Sequence, residues 1–193
     1  MEKFELNVAA FGRLSDEEFF HFCQDNDDLR IERDATGKII IMGPTGSLSG
    51  NRNANLLTDF AIWNRKHKKG YIFDSSAGFT LPNGATRSPD VSFVLKDRWE
   101  ALSQDEQEVF APVCPDFVLE LRSRNDSLKE LQSKMEEYLA NGTIFGWLID
   151  PYERKAYIYD AQREMAVVDD FAQPLRGRYF MDDYEITLDD VLA

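Results

Sequence analysis

"PDFVLELRSR" (Pro115–Arg124) reads as a short strand. Phe117, Leu119 and Leu121 alternate with Asp116, Val118, Glu120 and Arg122, the period of two that puts successive side chains on opposite faces. Asp116 and Glu120 share a face but lie about 13 Å apart at about 3.3 Å per residue, too far to grip one metal ion. Asp116, after Pro115, is expected to start the strand. A second Pro-Asp pair stands upstream in "SPDVSFVL" (Ser88–Leu95), where Asp90 opens another strand. If the two strands are neighbours, Asp90 lies beside Glu120. Two such carboxylates repel unless a cation sits between them. Oxygen donors with room for water suit Mg²⁺ or Mn²⁺ better than zinc. The alternatives are a strand-entry role for Asp90, a solvent-facing Glu120, and an Arg122 that pairs with Glu120 two residues away.

Downstream, "SLKELQSKMEEYLANG" is the clearest helix, with Ser127 as N-cap, Glu130 completing a capping box and Gly142 as terminator. Leu128, Leu131, Met135, Tyr138 and Leu139 form its buried stripe. Lys134 falls on the margin, able either to snorkel along apolar surface or to extend its ammonium toward the sheet. Glu136 and Glu137 read as a solvated face. "FGWLID" and "KAYIYD" form a hairpin across Pro151–Arg154.

Upstream, Ser15 caps a short helix with Glu18 three residues on, and "LRIERDATGKIIIMG" reads as two strands joined by a turn at Ala35–Gly37. A helix is expected over Asn51–Lys68, stopped by Gly70. "YIFDSSAGFTL" then leads through a Pro-Asn-Gly turn into "SPDVSFVL", and "DRWEALSQDEQEVF" is a polar, helical insertion. This order predicts an α/β or α+β fold, a central mixed sheet flanked by helices, in one domain over 1–193.

Composition bounds the function. The net charge is −13, yet residues 1–35 carry 4 basic and 10 acidic side chains and 160–193 carry 3 and 9, leaving the middle near neutral. That middle holds "RKHKK" (Arg65–Lys69), a candidate contact for a nucleic-acid backbone whose bland alternative is a solvated helix end. Two cysteines without a CxxC argue for reduced thiols, a cytoplasmic location and no zinc site. "MEKFELNVAAFGRL" lacks a basic start before an apolar run, so no secretory signal is expected, and no apolar stretch is long enough to span a membrane.

The ordered set "LRIERDATGKIIIMGPTG", "NRNANLL", "FDSSAGFTLPNGATRSPD", "PDFVLELRS", "SLKELQSKMEEYLANG" and "GWLIDPYERKAYIY" resembles the Uma-two family of restriction-endonuclease-like proteins, built on the PD-(D/E)XK nuclease fold. The resemblance covers nearly the whole chain. It implies a divalent metal held by Asp90 and Glu120, with the Leu121 carbonyl as a further ligand and Glu32 joining the acidic cluster. Glu32 pairing with Arg30 or Arg33 is the structural rival. The fold's usual lysine, two residues after the acid, is replaced by Arg122. The resemblance points to Lys134 as its substitute.

The expected activity is Mg²⁺-dependent (or Mn²⁺-dependent) hydrolysis of DNA, with Asp90, Glu120, Lys134 and Arg122 as the catalytic set. By analogy with nucleases of this fold, a homodimer is an expectation. Two other readings stand beside it. One is a lapsed nuclease fold that binds nucleic acid or a protein without cutting; the other is a hydrolase of a different phosphate ester.

Overall fold

The computed structural model describes residues 3–7 and 12–192, so part of the N-terminal stretch read for a secretory signal lies outside the described residues. The deciding stretch forms β8 (Phe117–Leu121), and both of its faces are buried. Its alternation explains how. Phe117, Leu119 and Leu121 join Val91, Phe93 and Trp147 on one side, while Val118 meets Val94 and Leu148 on the other.

Around β8 the sheet runs β11-β10-β9-β8-β7-β4. Its members are β4 (Gly70–Asp74), β7 (Val91–Leu95), β9 (Phe145–Asp150), β10 (Lys155–Asp160) and β11 (Arg163–Val168). Only β8 and β9 run parallel; the other pairs are antiparallel, so the sheet is mixed. A parallel pair needs a crossover, and α5 (Leu128–Ala140) is that connection. Ser127 accepts from the Glu130 amide at its start, and Gly142 past its end takes φ +113°, which glycine adopts without a Cβ penalty.

Two helices cover the two faces. Met135 and Tyr138 of α5 pack with Val118 and Leu148, while Leu56, Phe60 and Trp63 of α2 (Ser47–His67) pack on the Phe117 side. Packing of this kind is the main favourable term, roughly 25 cal/mol per Å² of apolar surface buried. A C-terminal unit, β12 (Pro174–Arg176) paired with β13 (Glu185–Thr187) and followed by α6 (Leu188–Val191), seals the α2 side with Leu175, Tyr184, Ile186 and Leu188.

A second, five-stranded sheet has the order β1-β3-β2-β6-β5. It is built from β1 (Lys3–Leu6), β2 (Arg30–Arg33), β3 (Ile39–Met42), β5 (Phe79–Thr80) and β6 (Thr86–Arg87). Helix α1 (Asp16–Gln24), opened by the Ser15–Glu18 capping box, packs on it through Phe19, against Ile31 and Ile39. The polar insertion becomes two short helices, α3 (Lys96–Glu100) and α4 (Gln104–Gln107).

One stop signal differs from expectation. Helix α2 ends at Lys68, which takes the left-handed conformation at φ +55°, and Gly70 instead opens β4. Gly70 is there for space: a Cβ would lie 2.2 Å from the Val94 carbonyl oxygen and 2.5 Å from Phe93.

Candidate active site

Strands β7 and β8 are antiparallel neighbours with Val91 opposite Leu119. Continuing that register by one pair sets Asp90 opposite Glu120, where side chains share a face. Both acids line one cleft of 1120 Å³, together with Glu32, Arg87, Leu121 and Lys134. Asp90 is held at both oxygens: Oδ2 accepts from the Leu121 amide at 2.9 Å and Oδ1 from Asn53 Nδ2 at 3.0 Å. Glu120 Oε1 accepts from the Tyr138 hydroxyl at 3.0 Å and pairs with Lys134 Nζ at 2.8 Å.

Lys134 and Tyr138 reach Glu120 together because positions i and i+4 of a helix share a face. The same ammonium lies 2.8 Å from Glu32 Oε1, which also accepts from the Ser88 amide at 3.0 Å. Glu32 Oε2 pairs with Arg87 at 3.0 Å, and Arg87 Nε with Glu137 at 2.6 Å. Charges thus alternate along Glu120, Lys134, Glu32, Arg87 and Glu137.

The two ends of this chain differ in electrostatics. Burial pushes Glu32 up, but the Lys134 and Arg87 charges outweigh it and hold the carboxyl at about 2. Glu120 moves the other way, to about 7: burial dominates, Lys134 opposes it, and the Asp90 and Glu32 charges raise it further. Asp90 is also raised by burial, against the Leu121 hydrogen bond and the Lys134 charge. Lys134 resists burial because Glu120 and Glu32 together hold its ammonium above the ordinary lysine range. The net result is a fixed cation beside two carboxyls whose charge is poorly compensated.

The family model described as "Uma2: Putative restriction endonuclease" matches residues 16–188. The chain belongs to the Uma2 family. Among solved structures, the Uma2 chain is similar to a "putative nuclease belonging to DUF820" from Anabaena variabilis, at 20% identity, covering 93% of this chain and 97% of that one with a TM-score of 0.73. At that identity the likeness shows a common fold. No curated protein matches the chain.

In this Uma2 protein Arg122 stands two residues after Glu120, and the lysine beside Glu120 is Lys134 of α5. Asp90, Glu120, Glu32, Leu121 and Lys134 meet in the cleft; Arg122 does not line it. Arg122 lies just past the end of β8, pairs with buried Asp150 at 2.7 Å and donates to the Asp126 carbonyl at 3.1 Å, so neither Glu120 nor the cleft receives it. Glu32 pairs with Lys134 and Arg87 rather than with Arg30 or Arg33; Arg33 is buried on Asp16 instead.

Glu137, read as solvated, is corrected: it binds Arg87 and Asn83 and lines the cleft. The basic run lies at the other end of the sheet. Gly70, beside it, pairs with Leu95, four residues or about 13 Å along β7 from Val91. There His67 and Lys69 are engaged by Asp183, while Arg65 and Lys66 are exposed.

Arg87 and Asn53 were not foreseen as site residues. Their signal is faint: Arg87 stands three residues before Asp90, and Asn53 falls in "NRNANLL", a block carrying the family resemblance.

Among the described residues no three Asp, Glu, His or Cys side chains are grouped to hold a metal. The oxygen donors present still fit Mg²⁺ or Mn²⁺, because Mg²⁺ is commonly held by one or two carboxylates and keeps several waters. Asn53 Oδ1, buried and without a hydrogen-bond partner among the described residues, adds an idle oxygen donor on the residue that holds Asp90. Glu32 fits less well as a ligand, since both its oxygens carry ion pairs.

Proposed function

We propose that this protein is a divalent-metal-dependent endonuclease that hydrolyses DNA phosphodiesters in the Asp90–Glu120 cleft. The observation that carries this reading is the meeting of acids from two adjacent strands, with a half-buried lysine 2.8 Å from Glu120. Asp90 and Glu120, with the Leu121 carbonyl, would hold Mg²⁺ or Mn²⁺. When bound, such an ion lowers the pKa of coordinated water and offsets charge on the scissile phosphate.

The remaining work belongs to the chain. Asn53 and the Leu121 amide fix the Asp90 carboxylate, and Tyr138 fixes that of Glu120. Glu32, locked by Arg87 and the Ser88 amide, anchors Lys134 from the second sheet. Lys134 keeps its proton, so it acts as a positioned positive charge for the phosphate rather than as a base. Arg122 has no part in this reading.

A supercoiled plasmid tests it. With Mg²⁺ or Mn²⁺ the purified protein is expected to nick or linearise the DNA, with EDTA to leave it intact, and Asp90→Ala or Glu120→Ala to abolish cutting. Intact DNA across metals, sequences and strand states would overturn it. One observation favours binding without cleavage: acidic side chains lining the cleft outnumber basic ones, eight to four. Tight, metal-independent DNA binding with no cutting would decide for that second reading.

A further inference from the structure

We propose that a recess at the N-terminus of α2 seats a phosphodiester of the bound nucleic-acid strand, beside the bond cut in the Asp90–Glu120 cleft. The proposal rests on the nuclease reading and adds a substrate subsite to it. The recess measures 390 Å³ and, in a chain of net charge −13, its wall contains no Asp or Glu among the described residues.

Three features of the wall call for an anion. Helix α2 is 21 residues long, its N-cap is Gly46 with no side-chain cap, and its first turn carries no acidic residue. The first-turn amides therefore have no partner within the helix and lie at the positive end of its dipole. Ser49, only 8% exposed, lines the recess, and its hydroxyl has no hydrogen-bond partner among the described residues. Arg124 lines the facing side, exposed, its guanidinium without an ion pair or hydrogen bond among the described residues. An idle hydroxyl that reaches solvent from an otherwise buried serine, open helix amides and an uncommitted arginine form a donor set without an internal acceptor. Phosphate oxygens supply one.

Position identifies whose phosphate it is. Thr45, Ser123 and Asn125 line both the recess and the catalytic cleft, so the two share a wall. Ser49 precedes Asn53, the residue holding Asp90, by one helical turn, about 6 Å of rise. The recess therefore adjoins the cleft along the path a bound strand would take. Tyr152 stands exposed at the rim, where a base can stack on its ring.

The test uses the full chain, ¹⁵N-labelled and in EDTA so that nothing is cut. It is titrated with inorganic phosphate and with a short single-stranded oligonucleotide lacking terminal phosphates. Both are expected to shift the amide signals of Ser47, Leu48 and Ser49. Arg124→Ala is expected to weaken oligonucleotide binding about tenfold, as loss of one charge-assisted contact predicts. It should also reduce the slope of log affinity against log salt by about one.

Ser47→Asp places a carboxylate where acids favour a helix, so its expected loss of affinity cannot come from a melted α2. Shifts with inorganic phosphate alone would mark a free-anion site and overturn the strand subsite. Unchanged affinity and salt slope in both variants, with Asp90-dependent cutting retained, would overturn the subsite and leave the nuclease. Shifts and affinity losses without cutting under any metal would keep the subsite and remove the nuclease.

Discussion

The two Pro-Asp pairs open adjacent antiparallel strands from opposite ends, and their aspartates begin alike. Asp90 accepts the Leu121 amide at the end of β8, and Asp116 accepts the Leu95 amide at the end of β7. Both are buried. What differs is the countercharge. Asp116 has Arg98 at 2.6 Å as its ion-pair partner. Asp90 has the neutral amide of Asn53, with Glu120 opposite it, and burial raises its pKa. One motif is finished as structure, while the other keeps carboxyl charge in want of a cation. Poorly compensated charge of this kind clusters where binding or chemistry occurs.

The largest effect should separate the two aspartates by activity. Asp90→Asn is expected to lower DNA cleavage at least about 10³-fold, the scale of removing several kcal/mol of charge stabilisation. Asp116→Asn should stay within a few-fold when assayed well below its melting temperature. The Asp90→Asn variant keeps the fold because a turned Asn53 amide can offer its idle Oδ1 to the NH₂ group that the substitution introduces. Equal losses in both variants would erase the distinction.

Stability should show the reverse order. Asp116→Ala removes a charge-assisted bond to Arg98 and strands the part-buried Leu95 amide, for about 3 kcal/mol. Asp90→Asn should cost under about 1 kcal/mol, since the same partners are met. Urea unfolding midpoints of the three proteins measure this, and a larger loss at Asp90 would contradict it.

The smallest effect is in pH. Glu120 titrates near 7 when folded against an ordinary 4.5. Its contribution to stability is thus fully present below about pH 4.5 and lost as pH rises through about 7. Glu120→Gln stays neutral throughout. Between pH 4.5 and 7.5 the wild type, without metal, should lose about 1–2 kcal/mol relative to the variant. Parallel pH profiles would mean that Glu120 is compensated after all.

Much of the site was legible in the chain because it rests on local pattern. Period-two alternation at Phe117–Leu121 and the capped helix from Ser127 placed Glu120 and Lys134 on defined elements. The Asp90–Glu120 meeting needed only that the two strands be neighbours. Residues whose partners come from another sheet were harder. Glu137 looked solvated on a helical wheel because nothing local announces Arg87, fifty residues away. Arg122 was misjudged for a different reason: β8 ends at Leu121, so alternation no longer governs the next side chain. Residues past Asp160 carried no motif, yet their Leu175, Tyr184 and Ile186 close the α2 face.

The most direct measurement is anomalous diffraction from crystals of the protein grown with Mn²⁺. A single strong peak in coordinating reach of both Asp90 and Glu120, absent in Asp90→Asn, is the expected result. No peak there, or one satisfied by other residues while Lys134 still bridges Glu120 and Glu32, would contradict it.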